Sequence, residues 1–320
     1  MSNRLTLTLA AWAFGLVTLF AGVLQQKNPP TPPPYAAQPL LVWDVAPAAI
    51  NGLPRNFRTT RDTIKPDSGP VPDTNGLADL RASASAAFTE ANLKVVLARV
   101  PGPVTVFDLR QEDHVYVNGQ PVSWYATNNW ANVGRSHEAI IASEAVRAKT
   151  LAHGTVIELA DAGARKGDSA TAPQRLTVTR AATEREVVIS AGASYVRITV
   201  SDHARPLDDE VDRFVLAVRA LPAEGWVHFH CRAGKGRTTT FIALYDMIRN
   251  AKRVSLEDIV NRQSLLLGDY NLLQLGDQTG WKAPLAADRA AFVRAFYDYA
   301  RANPNGQPQL WTEWLKAQSK

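Results

Sequence analysis

The stretch His230-Cys231-Arg232-Ala233-Gly234-Lys235-Gly236-Arg237-Thr238 contains the one cysteine of a 320-residue chain. Just before it, Trp226-Val227-His228-Phe229 places large side chains at alternate positions, which predicts a buried strand. Just after it, Phe241, Ile242, Tyr245 and Ile248 recur at helical spacing, which predicts a helix over 239–250. The cysteine therefore falls on a strand–loop–helix turn, at the helix N-terminus. There the first N–H groups lack intrahelical acceptors and the helix dipole is positive. Both favour an anion, whether a thiolate or a phosphate.

Each residue type in the stretch suits that chemistry. A free thiol ionises near ~8.5, and a helix N-terminus lowers that value. Gly234 and Gly236 allow backbone angles that let several N–H groups turn inward. The planar fork of Arg237 matches two phosphate oxygens. Thr238 is expected to hydrogen-bond the sulfur as it leaves, and His230 to orient the loop from behind. A lone cysteine is usually a small buried hydrophobe. Arg, two Gly, His and Thr all in register outweigh that reading. With no second cysteine and no tight histidine cluster in the sequence, a zinc site is not expected, and no cofactor is called. The stretch resembles the CX5R signature of the protein-tyrosine-phosphatase superfamily.

Composition sets the frame. The chain is 46% hydrophobic and 20% charged, ordinary for a globular protein and sufficient for one large or two modest domains. Its first residues are different. Leu5 to Leu24 is almost wholly apolar, carries no charge and follows Arg4; Gln25-Gln26-Lys27-Asn28 and the proline-rich Pro29 to Pro34 come next. Residues 1–37 are read as an export signal or a retained anchor plus linker, long enough to span a bilayer. Small residues near Ala21 and Ala36-Ala37 offer cleavage sites, and the absence of cysteine there excludes lipoprotein attachment. The expected location is the periplasm of a bacterium, with membrane anchoring only through this segment. A single cysteine suits that compartment, since it has no partner for an inactivating intramolecular disulfide. Removing Arg4 and Lys27, the only charges in 1–37, leaves a weak positive excess, which gives no reason to expect nucleic acid. The local cluster Arg232, Lys235 and Arg237 matters more.

Further elements follow from pattern. Helices are predicted over 89–100, 136–151, 255–267, 286–302 and 311–317, and another entered at Pro206 with Asp208, Asp209 and Glu210 in its first turn. Val104 to Leu109 reads as a buried strand. Val115 to Tyr125 alternates about Asn118-Gly119, a hairpin signature. Short strands are predicted at 155–159, 175–179, 186–190 and 195–200, so a β-rich segment over about 111–195 is set into an α/β chain spanning 38–320.

A phosphate monoester leaving group needs a proton, which the thiolate cannot give. Upstream of the cysteine lies Val200-Ser201-Asp202-His203-Ala204-Arg205-Pro206, a strand end running into a polar loop, and Asp202 is the candidate general acid. A capping role fits Asp208 and Asp209 better, because they follow the proline. In tyrosine-phosphatase-like enzymes the acid lies on such a loop; the tryptophan found there in ordinary tyrosine phosphatases is missing here.

The basic loop, the Asp-His-x-x-Pro acid loop and the run DLRQEDHVYVNGQPVSWYATNNWANVG over 108–134 together resemble the tyrosine-phosphatase-like inositol polyphosphate phosphatases, the bacterial cysteine phytases. The resemblance runs from about Phe57 to Trp281. It implies a tyrosine-phosphatase core beside a small partial β-barrel domain, no metal cofactor, and hydrolysis of inositol polyphosphates through a phosphocysteine. It carries the nucleophile to Cys231, the phosphate-binding arginine to Arg237, the acid to Asp202 and a substrate contact to His203. It extends, less directly, to Arg58, Asp108, His114 and Lys282 as pocket residues, with Arg232, Ala233, Gly234, Lys235 and Gly236 forming the loop. Gln263 and Gln278 are alternative candidates to position the hydrolytic water. A multiply charged ring suits a pocket ringed by Arg and Lys. A phosphotyrosine site would want an aromatic-lined cleft, for which the sequence offers no clear residue. A tyrosine or phosphoinositide phosphatase is the same-class alternative, since the basic loop also resembles that of the phosphatase-and-tensin lipid phosphatases. A non-catalytic phosphate-binding module is disfavoured by Cys231, Arg237 and Asp202 occurring together.

Overall fold

The central element is β11 (Trp226–His230), and its alternation decides how the layers pack. Val227 and Phe229 face one side, where Phe214, Phe241, Ile259, Phe292 and Trp311 close the larger core. Trp226 points the other way, into a smaller core with Phe88, Leu93, Val187 and Val188. A strand buried on both faces belongs inside a helix-covered sheet. The computed structural model, which describes residues 40–319 apart from 47, 48, 65, 67, 68, 162–171 and 269, shows that sheet. Its order is β10 (Ser194–Arg197), β4 (Val104–Asp108), β11, β3 (Ala82–Ser85) and β2 (Arg58–Thr59). The first four run parallel and β2 closes one edge antiparallel.

Helices α4 (Asp208–Arg219), α5 (Gly236–Asn250), α6 (Leu256–Leu267), α7 (Ala283–Ala302) and α8 (Trp311–Gln318) cover the first face. On the second face lie α1 (Glu90–Arg99) and α3 (Glu184–Ser190). The C-terminal ends of β4 and β11 meet at Asp108 and His230, the edge where open parallel sheets place their ligands.

A second, antiparallel sheet is built from β1 (Leu40–Trp43), β6 (Gln120–Tyr125), β5 (His114–Val117) and β9 (Ala181–Ala182). The turn between β5 and β6 holds Asn118 and Gly119 at φ of 51° and 82°, which Asn-Gly supplies at little cost. A separate hairpin, β7 (Val156–Leu159) with β8 (Gln174–Thr177), joins this sheet through a bridge between Val42 and Ala160. Helix α2 (His137–Thr150) leads into that hairpin, and Leu151, Ile157 and Leu159 share a small core with Trp43, Val115 and Val122. The β-rich part thus draws on β1 as well as on the 111–195 stretch.

One predicted strand is wrong. Residues 186–190 are helical, because Thr183 caps the Glu186 amide while the Glu186 carboxylate accepts from the Thr183 N–H. This capping box outweighs the β-branched run Val187-Val188-Ile189. The residues 1–37, read as signal or anchor, lie outside the described residues; among the described residues no helix is long and apolar enough to cross a membrane.

Burial of the strand carries a pH signature. His228 is fully buried, with Ser83 Oγ 2.9 Å from Nδ1 and Ser85 Oγ 3.1 Å from Nε2. Desolvation, with His230 and Arg58 nearby, pushes its pKa down to about 3. The unfolded chain takes up that proton near ~6.5 while the native state does not, so stability present above ~6.5 is lost as pH falls toward 3. The His228→Asn variant is expected to be less stable at neutral pH. Between pH 6 and 5 its unfolding free energy should fall less steeply by one proton, about 1.4 kcal/mol per pH unit. Equal slopes in urea titrations of the two proteins would contradict this.

Candidate active site

Residues 231–235 connect β11 to α5, and their carbonyls point outward into the scaffold. The Arg232 carbonyl accepts from the Ala87 N–H at 3.2 Å, that of Ala233 from Asn56 Nδ2 at 2.7 Å, and that of Gly234 from an Arg58 guanidinium nitrogen at 3.1 Å. With its carbonyls held from behind, the loop turns its amides to the other side, and the amides of 232–238 donate to no protein group among the described residues. That is an anion cradle at a helix N-terminus.

Gly234 makes the turn possible. Its φ is +71°, and a Cβ there would lie 2.4 Å from the Ala86 nitrogen and 2.5 Å from the Ser85 carbonyl carbon. Gly234→Ala therefore has to displace the loop from β3. Phosphate release is expected to fall at least about a hundredfold in kcat/KM, the scale of a small misplacement of reacting groups. Wild-type kinetics would show that the loop tolerates the shift.

The loop opens into a cavity of about 670 Å³. Cys231, Arg232, Ala233, Lys235, Gly236 and Arg237 line it from below, and Asp202, His203 and Lys282 from the sides. Arg289, Tyr125, Asn129, Tyr270 and Trp281 add to the wall. Among the described residues five of the lining are cations (Arg232, Lys235, Arg237, Lys282, Arg289) and Asp202 is the one carboxylate. The aromatic wall corrects the sequence reading, which found no clear aromatic for a cleft. Trp281 is 49% exposed and meets both Trp130 and His203 edge to face.

Arg237 is the most constrained of these cations. Its two terminal nitrogens meet Glu112 at 2.6 and 3.0 Å in a bidentate pair, and one also reaches the Val200 carbonyl at 3.2 Å. Asp202 lies 3.3 Å from the fork. Burial alone would lower the Arg237 pKa, but Asp202, Glu112 and Cys231 hold it well above its ordinary value. Its Nε has no protein partner among the described residues. Glu112 is itself fully buried and also holds Arg110, which pairs with Asp44; Asp44 in turn sits 3.3 Å from Arg232. A chain of alternating charge thus runs from the end of β1 to the base of the cavity. Against a large desolvation cost, Arg237 and Arg110 keep the Glu112 carboxyl well below the usual range.

Asp202 is 24% exposed at its side chain and held at three points. Asn129 Nδ2 donates to one carboxylate oxygen at 2.8 Å, the His203 amide donates to the other at 3.1 Å, and Trp130 Nε1 donates to the Asp202 carbonyl at 3.0 Å. Farther along the loop, Arg205 ties it to Asp208 and to Asp288 of α7. His203 takes a φ of +68°, and burial lowers its pKa, with Lys282 and Arg237 adding to the effect against Asp202.

Several expected site residues lie elsewhere. Arg58, Asp108 and His114 are buried, with exposures of 2%, 0% and 0%, and do not line the cavity. Arg58 braces the loop carbonyl of Gly234 and bonds Thr239 Oγ1. Asp108 and His114 belong to a polar cluster behind the loop, in which Arg197 pairs with Asp108 at 2.7 Å and Glu184 lies 2.6 Å from His230. Asp108, His114 and Glu184 place ligand-type atoms within 4.8 Å of one another. Arg197 pairs with Asp108 there, and His114, its pKa raised to about 10, adds to the counter-charge. Thr238 Oγ1 is buried without a hydrogen-bond partner among the described residues, so the expected contact with sulfur is not formed here. Gln263 donates to Asp246 in the core and Gln278 to the Gly276 carbonyl, and neither lines the cavity. Glu112 and Asn129 escaped the sequence reading because their partners are far along the chain.

Comparison with known proteins places this geometry. The profile of the PTP-like phytase family, described as inositol hexakisphosphate, matches residues 107–249. A PTP-like phytase structure from Bdellovibrio bacteriovorus is 42% identical, covers 89% of this chain and 98% of its own, and superposes with a TM-score of 0.72. The chain belongs to the PTP-like phytase family. Its mixed α/β architecture is the PTP-like phytase fold. The PTP-like myo-inositol phosphatase from Mitsuokella multacida, solved with myo-inositol-(1,3,4,5)-tetrakisphosphate, is 35% identical at a TM-score of 0.81, over 92% of this chain and 49% of its own. The effector protein HopD2 of Pseudomonas syringae pv. tomato is 37% identical over 282 residues, 87% of this chain and 60% of that protein. The chain thus spans 60% of HopD2 and about half of the Mitsuokella protein.

Proposed function

We propose that the protein hydrolyses phosphate monoesters of myo-inositol polyphosphates through a phosphocysteine. The observation that carries this reading is the cavity wall: five cations and a thiol face one carboxylate, and that carboxylate is held beside Arg237. A cyclitol bearing several phosphates fits a pocket of this size and sign. The Cys231 thiolate attacks phosphorus, and the P–O bond to the ring breaks. The loop amides and the free Nε edge of Arg237 hold the equatorial oxygens as charge develops. Asp202 gives its proton to the departing ring oxygen, then as carboxylate takes one from the water that cleaves the S–P bond. Lys282 and His203, on the cavity wall, take substrate contacts, and Thr238, whose hydroxyl has no partner among the described residues, turns to the sulfur only as it leaves in the second step. The reading covers residues 38–320 as the phosphatase unit, and export rests on the apolar run 5–24.

A second reading has its own observation. Tyr125, Tyr270 and Trp281 on the wall suit an aryl phosphate such as phosphotyrosine. Phosphate release from inositol hexakisphosphate, a phosphotyrosine peptide and a phosphoinositide lipid separates the readings. Inositol hexakisphosphate is expected to give the highest kcat/KM, and a higher value for either of the others would replace this proposal. Within it, Asp202→Asn should cut kcat about 10²- to 10⁴-fold on an inositol phosphate. On p-nitrophenyl phosphate, whose leaving group needs no proton, the loss should be small. Equal losses would remove Asp202 from the acid role.

A further inference from the structure

A second cavity, also of about 670 Å³, lies at the opposite end of α5, where the sheet strands begin. Among the described residues four arginines line it, Arg81, Arg219, Arg249 and Arg253, and Asp79 is the one carboxylate in the lining. Of the four, Arg81 alone has a carboxylate partner among the described residues, Glu224. Arg219 donates to the Gly306, Pro308 and Gln309 carbonyls, Arg249 to Asn305 Oδ1, and Arg253 to Asn250 Oδ1. These three guanidiniums are held in place by neutral acceptors, so their charge is left uncompensated among the described residues.

Cations in the last turn of a helix can serve the helix dipole. Here that explanation falls short. Arg219 and Arg249 turn their forks away from their own helix ends, toward the 305–309 loop, and Arg253 lies beyond the end of α5. Tyr245, nearly buried, forms part of the lining, and Arg249 stacks over its ring at 5.4 Å. A concave site with fixed guanidinium forks, little negative charge and an aromatic wall matches a tetrahedral oxyanion, which forks bind in pairs of hydrogen bonds.

We propose that this cavity is a second anion site, separate from the Cys231 cavity, that takes phosphate either free or carried on an inositol ring. The choice of phosphate among oxyanions rests on the phosphatase reading above, since that reaction consumes one form and releases the other. Helix α5 begins at the catalytic loop and ends at this cavity, so one rigid element joins the two sites.

Calorimetric titration of full-length Cys231→Ser protein at low ionic strength tests it, with inositol hexakisphosphate and inorganic phosphate as separate probes. A class of sites is expected that weakens at least about tenfold when Arg249→Ala and Arg253→Ala are added. The class at the catalytic loop should instead respond to Arg232→Ala with Lys235→Ala. Both distal arginines are exposed and bond only side-chain amides, so the fold is expected to survive, as unfolding without ligand will show. If the double variant unfolds, Arg253→Gln alone is read in the same way. Binding of either probe there supports the site, and which probe binds tells free from ring-borne phosphate. Absence of any class that responds to Arg249 and Arg253 overturns the proposal. Failure of the phosphatase reading alone would look different, removing the Arg232- and Lys235-dependent class and leaving the distal one.

Discussion

Cys231→Ser is expected to bind inositol phosphates with nearly unchanged affinity and to release no measurable phosphate. The two halves of this result have separate causes. Affinity comes from the loop amides and from Arg232, Lys235, Arg237, Lys282 and Arg289, none of which the substitution touches. Turnover requires a nucleophile that is ionised near neutral pH. A serine hydroxyl in the same place is far less acidic than a thiol, and Asp202, the carboxylate that lines the cavity with it, serves the first step as proton donor rather than as base. Loss of a nucleophile of this kind costs about 10⁴- to 10⁶-fold in kcat. Sulfur and oxygen differ little in size, and Cys231 is only 2% exposed, so the fold should be retained. Malachite-green phosphate release paired with calorimetry decides it. Turnover within tenfold of wild type would rule out a phosphocysteine, and lost binding would move the substrate out of this cavity.

What the sequence disclosed follows how local each signal is. The strand, loop and helix around Cys231 are contiguous, so periodicity and two glycines sufficed to place them, and the Asn118-Gly119 turn gave its hairpin directly. The place of Asp202 on the cavity wall was legible because few polar loops precede the signature. Pairings over long separations were not legible. Glu112 meets Arg237 across 125 positions and Asn129 meets Asp202 across 73, and no spacing rule links such residues in one sequence. Arg58, Asp108 and His114 were misplaced for a related reason. A charged residue at a strand end is ordinarily solvent-facing. Here the charges are buried together and satisfy one another: His114, caught among Asp108, Glu144 and Glu184, has its pKa raised to about 10 despite burial and the neighbouring Arg110. The wrong strand at 186–190 came from weighing β-branched composition above the capping pattern at Thr183 and Glu186.

Glu112→Gln should be nearly as damaging as loss of the arginine it holds. The side chain keeps its shape but loses its charge, leaving both Arg237 and Arg110 buried beside an amide that can accept only one good pair of hydrogen bonds. Removing one partner of a buried ion pair costs about 3–5 kcal/mol, because the remaining charge is uncompensated. The catalytic consequence is distinct from that stability loss. With its outer edge free, Arg237 can rotate toward Asp202, 3.3 Å away, and take the acid as its carboxylate partner. That misaligns the fork and favours the ionised acid when the first step needs it protonated. A drop of about 10²- to 10³-fold in kcat is expected, the size of losing one aligned transition-state donor. The alkaline limb of the pH–rate profile, where the acid loses its proton, should move to lower pH at the same time. The stability profile changes in a matching sense. The Glu112 pKa is depressed in the folded state, so its contribution is present above the unfolded value near ~4.3 and is lost as pH falls; the variant should lack that part of the acid limb. Kinetics at a temperature where the variant is fully folded separate the two effects. A variant that is less stable but turns over normally, with an unshifted pH profile, would reduce Glu112 to a packing group and leave the orientation of Arg237 to the Val200 carbonyl alone.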